Sequence, residues 1–287
     1  MPKDPHLSAF AQEVNPRNAE INLARAALTL AAFEYPDLDI QAYLDQIDRL
    51  ADAAQPTMRE ADAPALGLAQ FLFGTLGFSG NEHNYADPRN SFLNDVIERR
   101  LGIPITLSLL FLEVAKRVGI QAAGIGLPGH FIVRIQVGNV GNVGIEGDAN
   151  GFVLYLDPFH RGALLSEEDC KARVQTVTQG RLPFDPAFLN PVSNRYILTR
   201  MLNNLKNFYA SSNDAERAAY VIERLLVLNP QDFLEMRNLG LLYGSLGKKK
   251  QAVKLLEDYL VAMPNASDTQ AIQRHIASLA SDVSRWN

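Results

Sequence analysis

A chain of 287 residues that is 47% hydrophobic is long enough for one large domain or two ordinary ones, and apolar enough to bury a core. Its formal net charge of −5 argues against nucleic-acid or anionic-membrane binding through a broad basic surface. The single cysteine, Cys170, excludes an intrachain disulfide and any cysteine-rich metal site.

The opening MPKDPHLSAFAQEVN contains no apolar h-region, and the longest apolar runs, such as ITLSLLFL at 105–112, fall far below the roughly 18 residues of a membrane span. A cytoplasmic protein is expected. Between Glu20 and Ala51 apolar residues recur at helical spacing, Pro36 interrupts, and a second amphipathic segment runs from Ile40 to Leu50. Ala65 to Leu76 reads as a third helix that stops near Gly77, and the polar stretch FSGNEHNYADPRN follows as a loop. Asn90 or Ser91 is placed to cap the next helix, which runs to Leu101. Pro104 fits the first position of a further, largely buried helix that ends at Gly119. Beyond it HFIVRIQV and FVLYLDPF alternate as two paired strands around the glycine-rich VGNVGNVGIEGD, which predicts an α+β domain.

The C-terminal third repeats itself. Leu205/Leu239, Tyr209/Tyr243, Ala218/Ala252 and Pro230/Pro264 all fall at a separation of 34 without a gap, the tetratricopeptide period in which each unit is a helix hairpin. Lys206 stands where the second copy has Gly240, so the first copy is the more degenerate. A helix over Pro191 to Leu202 precedes the repeats, Asp268 to Trp286 caps them, and Lys248 to Lys250 form the solvated turn inside the second unit. The expected division is 1–80 for an N-terminal helical part, 81–192 for the α+β core, and 193–287 for the repeat module with its cap.

Three segments carry a resemblance: RNSFLNDVIERRLGIPITLSLLFLEVAKRVGI, LPGHFIVRI and LYLDPFHRG resemble the transglutaminase-like domain of the bacterial SirB-type proteins, which join that domain to tetratricopeptide repeats. The resemblance implies a transglutaminase-like fold of the papain-like superfamily. It also implies a triad with a cysteine opening the central helix, a histidine opening the next strand and an aspartate on the strand after. In such a triad histidine lowers the thiol pKa and shuttles its proton, the helix N-terminus favours the thiolate, and the carboxylate orients the imidazole. His130 and Asp157 match two positions, whereas the thiol position falls at or next to Pro104. By the same resemblance Tyr85, Arg89 and Asn90 line one groove with His130, and Thr106 is a further groove candidate.

Substitutes for the thiol are few. Cys170 follows Asp157 by 13 residues, the wrong chain order, and reads as a packing residue. Thr106 and Ser108 offer hydroxyls in the first turns of the central helix, but helix and core roles suffice for both. His130 either fixes the start of its strand by hydrogen bonding or contacts a ligand. A metal reading would gather His83, His130, Asp157 and His160, but no tight ligand spacing of the HExxH kind is present, so neither metal nor cofactor is expected. The expected function is a non-catalytic scaffold or regulator that binds a protein or peptide through its repeats, with no nucleic-acid or membrane partner. The rival is a hydrolase or acyl transferase that uses His130 and Asp157 with a hydroxyl or a water.

Overall fold

The computed structural model describes residues 5–15, 17, 20–137 and 152–284. Most of the glycine-rich VGN segment and Trp286 lie outside them. Contacts divide the chain into two compact units, residues 12–198 and residues 1–11 with 199–287.

After α1 (Pro5–Val14), the larger unit begins with α2 (Leu23–Leu30), whose N-terminus is capped by Asn22 accepting the Arg25 N–H at 3.0 Å. The next helix, α3 (Ile40–Glu60), continues ten residues past the expected stop at Leu50. Leu44, Ile47, Ala51, Ala54 and Met58 keep one buried stripe going, and that burial outweighs Pro56 inside the helix. The third expected helix is split: α4 (Pro64–Ala69) widens into a π-helical turn over Gln70–Thr75 that buries Phe71, Leu72 and Phe73. Gly67 lets α4 press against α3, since a Cβ there would lie 2.5 Å from the Met58 Cα and 2.6 Å from the Thr57 carbonyl oxygen. Gly67→Ala is therefore expected to lower stability by about 1–3 kcal/mol, read as a lower urea midpoint at unchanged slope; an unchanged midpoint would contradict the close approach.

Two short strands, β1 (Ser79–Gly80) and β2 (Leu101–Gly102), pair in parallel and bracket α5 (Leu93–Arg99). This helix is shorter than expected because Arg100 takes a left-handed conformation, φ 58°, and turns the chain into β2. The central helix α6 (Pro104–Arg117) starts on its proline, as the sequence predicts, and every residue from Pro104 to Phe111 is buried. Its end is followed by Gly119 at φ 77°. Phe111 stacks on Phe73 with ring centroids 6.0 Å apart.

Four strands follow in one antiparallel sheet of order β3-β4-β5-β6: β3 (Ala122–Ile125), β4 (Ile132–Val137), β5 (Phe152–Asp157) and β6 (Ala163–Leu165). The two strands expected from alternation are β4 and β5. Helix α7 (Glu167–Thr178) comes next, opened by Ser166, whose hydroxyl accepts the Asp169 N–H at 3.1 Å while Asp169 accepts the Ser166 N–H at 2.8 Å.

The division between the units falls within α8 (Asn194–Ser211), one continuous helix where the sequence suggested a separate helix ahead of the repeats. Helices α9 (Ala215–Leu228), α10 (Phe233–Ser245), α11 (Lys249–Ala262) and α12 (Thr269–Ser284) complete the smaller unit. The repeat anchors Leu205, Leu239, Tyr209, Tyr243, Ala218 and Ala252 are all buried. Gly240 allows α10 to approach α11, because a Cβ there would meet Leu256 at 2.8 Å. At the equivalent position of the first copy, Lys206 instead extends to an ion pair with Glu235. No helix among the described residues is long and apolar enough to cross a membrane.

Candidate functional site

The segment Leu127–His130 is a tight turn closed by the His130 N–H donating to the Leu127 carbonyl at 3.1 Å. Pro128 suits the second position of such a turn, and Gly129 takes φ 72° at the third, where a side chain would also collide with Val177 of α7. The turn delivers a buried His130 to the start of β4. Across the sheet, Asp157 ends β5 and folds the next residues back on itself: its Oδ1 accepts the N–H groups of Phe159 at 3.1 Å and His160 at 3.3 Å. Its backbone carbonyl accepts the Gly162 N–H at 2.9 Å.

His130 Nε2 donates to Asp157 Oδ2 at 2.9 Å, and His160 Nδ1 donates to the same oxygen at 2.8 Å. A third donor, Arg173 Nη1, reaches Oδ2 from α7 and lies 3.1 Å from His130 Nε2 and 2.9 Å from His160 Nδ1. Asp157 is fully buried, which by itself would raise its pKa; the hydrogen bonds from His130 and His160 and the charge of Arg173 outweigh burial and hold the carboxyl at about 2. Phe159 covers the cluster edge-on to His130, with centroids 6.2 Å apart, and Tyr85 meets the other side of Phe159 at 5.9 Å.

The remaining sequence candidates go elsewhere. Asn90 and Thr106 are fully buried and stand inside the structure instead of on an open groove. Asn90 accepts from the Asn81 amide at 3.0 Å and donates to the Asn84 carbonyl at 2.8 Å, so it ties the 81–91 loop together. This corrects the expected cap: α5 follows Phe92 without any side-chain cap. The Thr106 hydroxyl donates to the Asn90 carbonyl at 2.7 Å and accepts the Ile103 N–H at 3.1 Å. Ser108 is also fully buried. Arg89 pairs with Asp87 at 2.8 Å, as does Arg99 at 3.1 Å. Of the four residues in the metal reading, His130, Asp157 and His160 converge, their ligand atoms all within 4.8 Å of one another. His83 instead lines an open cavity of about 460 Å³ with Gly80, Asn81, Phe159, His160 and Arg161.

Cys170 sits on α7 in an apolar cluster with Ile125, Leu127, Ile132, Tyr155 and Val174, and burial pushes its thiol up to about 11. It is expected to resist thiol reagents until the protein unfolds. Cys170→Ser, which buries a hydroxyl among these groups, is expected to cost about 1–3 kcal/mol in chemical denaturation; labelling of the folded protein at the rate of a free thiol would contradict the placement. The residue that sequence reading missed is Arg173. Cys170 and Val174, at i and i+4, are the buried positions of α7, and an arginine at i+3 on that face was the available signal.

Residues 41–203 match the family profile described as transglutaminase-like superfamily, and residues 205–277 match the tetratricopeptide repeat profile. A UPF0162 protein of Xylella fastidiosa is 37% identical over 266 residues, covering 91% of this chain and 90% of its own length. Protein SirB1 of Salmonella typhimurium is 24% identical over 247 residues, covering 85% of this chain and 87% of its own. F-box only protein 21 of Mus musculus is 33% identical over 135 residues, which is 47% of this chain and 20% of that protein. No solved structure matches the chain. With the histidine and aspartate of the resembling motif meeting at one carboxylate and the repeats following in sequence, the chain belongs to the transglutaminase-like superfamily, in the SirB-type family that joins this domain to tetratricopeptide repeats.

Proposed function

We propose that the protein is a non-catalytic transglutaminase-like scaffold of the cytoplasm that binds a protein or peptide through its repeats. The reading rests on one observation, the first turns of α6. Where the resemblance implies a thiol stands Pro104, and the nearby Thr106 hydroxyl is already spent on the Asn90 carbonyl. Cys170, the only thiol of the chain, is buried in an apolar cluster. His130 and Asp157, joined by Arg173 and His160, then serve as a polar cluster that ties the turn before β4, the end of β5 and α7 together.

Binding is assigned to the smaller unit, where helices α8, α9 and α10 leave an open cavity of about 460 Å³ lined by Lys206, Asn207, Tyr209, Asn213, Asn238 and Leu241. The test is native capture of partners by the full chain, comparing wild type with Leu241→Asp and His130→Ala after each is checked for folding. Loss with Leu241→Asp and retention with His130→Ala is expected. Loss with folded His130→Ala alone would overturn the reading and move binding to the inherited triad site.

A further inference from the structure

We infer that His130 Nε2, His160 Nδ1 and Asp157 Oδ2 form a three-ligand site for a zinc-class divalent cation, with the Arg173 guanidinium as the cation that holds the place in its absence. The spacing of the ligand atoms carries the first part. In a tetrahedral site with metal–ligand bonds of about 2.0–2.2 Å, neighbouring ligand atoms lie about 3.3–3.6 Å apart. Oδ2 is 2.9 Å from one ring nitrogen and 2.8 Å from the other, and all three ligand atoms lie within 4.8 Å of one another, so each nitrogen–oxygen pair needs to open by only about half an ångström to seat an ion. Two imidazoles and one carboxylate suit zinc and its borderline neighbours, and leave a coordination position open.

The second part comes from crowding around Oδ2. An ionised carboxylate only accepts, so each imidazole must carry its hydrogen on the nitrogen that faces Oδ2. Arg173 Nη1, itself only a donor, stands 3.1 Å and 2.9 Å from those same two nitrogens and therefore meets N–H groups there. Three donors share one oxygen and face one another. A cation without hydrogens at this point would let both rings turn lone pairs inward and keep the carboxylate as a ligand. Arg173 is partly exposed, so it can swing to solvent.

The outer shell and a route in are present. Asp157 Oδ1 is held by the two backbone N–H groups of Phe159 and His160, which fixes the carboxylate. His160 is 42% exposed and borders the cavity lined by Ser79, Asn81, His83 and Arg161.

The test is titration of chelator-treated, untagged full-length protein with Zn²⁺ by calorimetry and with Co²⁺ by visible absorption, in wild type, Arg173→Gln and His160→Gln. His160 is partly exposed, and circular dichroism checks that both variants remain folded. One equivalent is expected to bind to Arg173→Gln about tenfold or more tightly than to wild type, with the Co²⁺ spectrum of a site of low coordination number. Second-shell losses alone weaken metal sites by about 10–100-fold, so loss of a ligand in His160→Gln should weaken binding by at least that factor. Binding to Arg173→Gln no tighter than to wild type, or binding unaffected by His160→Gln, would overturn the inference.

Discussion

Replacing Asp157 by alanine is expected to lower the unfolding free energy by about 3–5 kcal/mol, measured by urea denaturation in the presence of a chelator. The carboxylate is fully buried, and three side-chain donors and two backbone N–H groups converge on it. Removing it leaves His130 buried against a guanidinium with no acceptor between them, and an uncompensated charge inside a protein costs more than the pair itself gains. The double variant Asp157→Ala, Arg173→Met should recover part of the loss, because the stranded cation leaves with its partner. A loss below about 1 kcal/mol in the single variant would mean that the cluster does not hold β4, β5 and α7 together.

Leu256→Ala is expected to cost about 2–5 kcal/mol in the repeat module. Leu256 is fully buried, fills the close approach that Gly240 permits, and belongs to the same core as Leu239, Tyr243, Ala252 and Tyr259. Two repeats and one capping helix offer few alternative contacts to absorb a cavity, since each unit touches mainly its neighbours. Hydrogen exchange should show faster exchange in α10 and α11, and partner capture should fall with it. Exchange in those helices at the wild-type rate would contradict the packing.

The repeat was the most legible part of the sequence, because its signal is a fixed separation: the leucine, tyrosine and alanine anchors at 34 residues return as buried side chains on the helix pairs, and the proline anchors follow the ends of α9 and α11. Pro104 at the head of α6 was equally plain, since proline at a first helical position has few other readings. Boundaries read less well where tertiary burial overrode a local signal. Pro56 did not stop α3, because Ala54 and Met58 continue its buried stripe, and the alternation that marked β4 and β5 has no counterpart in the short edge strands β3 and β6. At the site, His130 and Asp157 were found through motif order, and His160 through its chemistry. Arg173 was not found, because periodicity marks only its place on α7, and its role depends on α7 packing against the turn before β4, where Val177 meets Gly129. Asn90 illustrates the opposite error: a polar residue before a helix suggests a cap, yet its amide satisfies three groups of its own loop and is worth more there.

The proposed loss of acyl-transfer chemistry is tested most directly by the rate of para-nitrophenyl acetate hydrolysis by wild type and by folded His130→Ala, with chelator present throughout. Equal rates for the two proteins are expected, since the Thr106 hydroxyl is spent on the Asn90 carbonyl and the Cys170 thiol is buried in an apolar cluster. A wild-type rate about tenfold or more above that of His130→Ala would contradict the non-catalytic reading and restore His130 and Asp157 as a working pair, because a positioned general base contributes on the order of 100-fold or more.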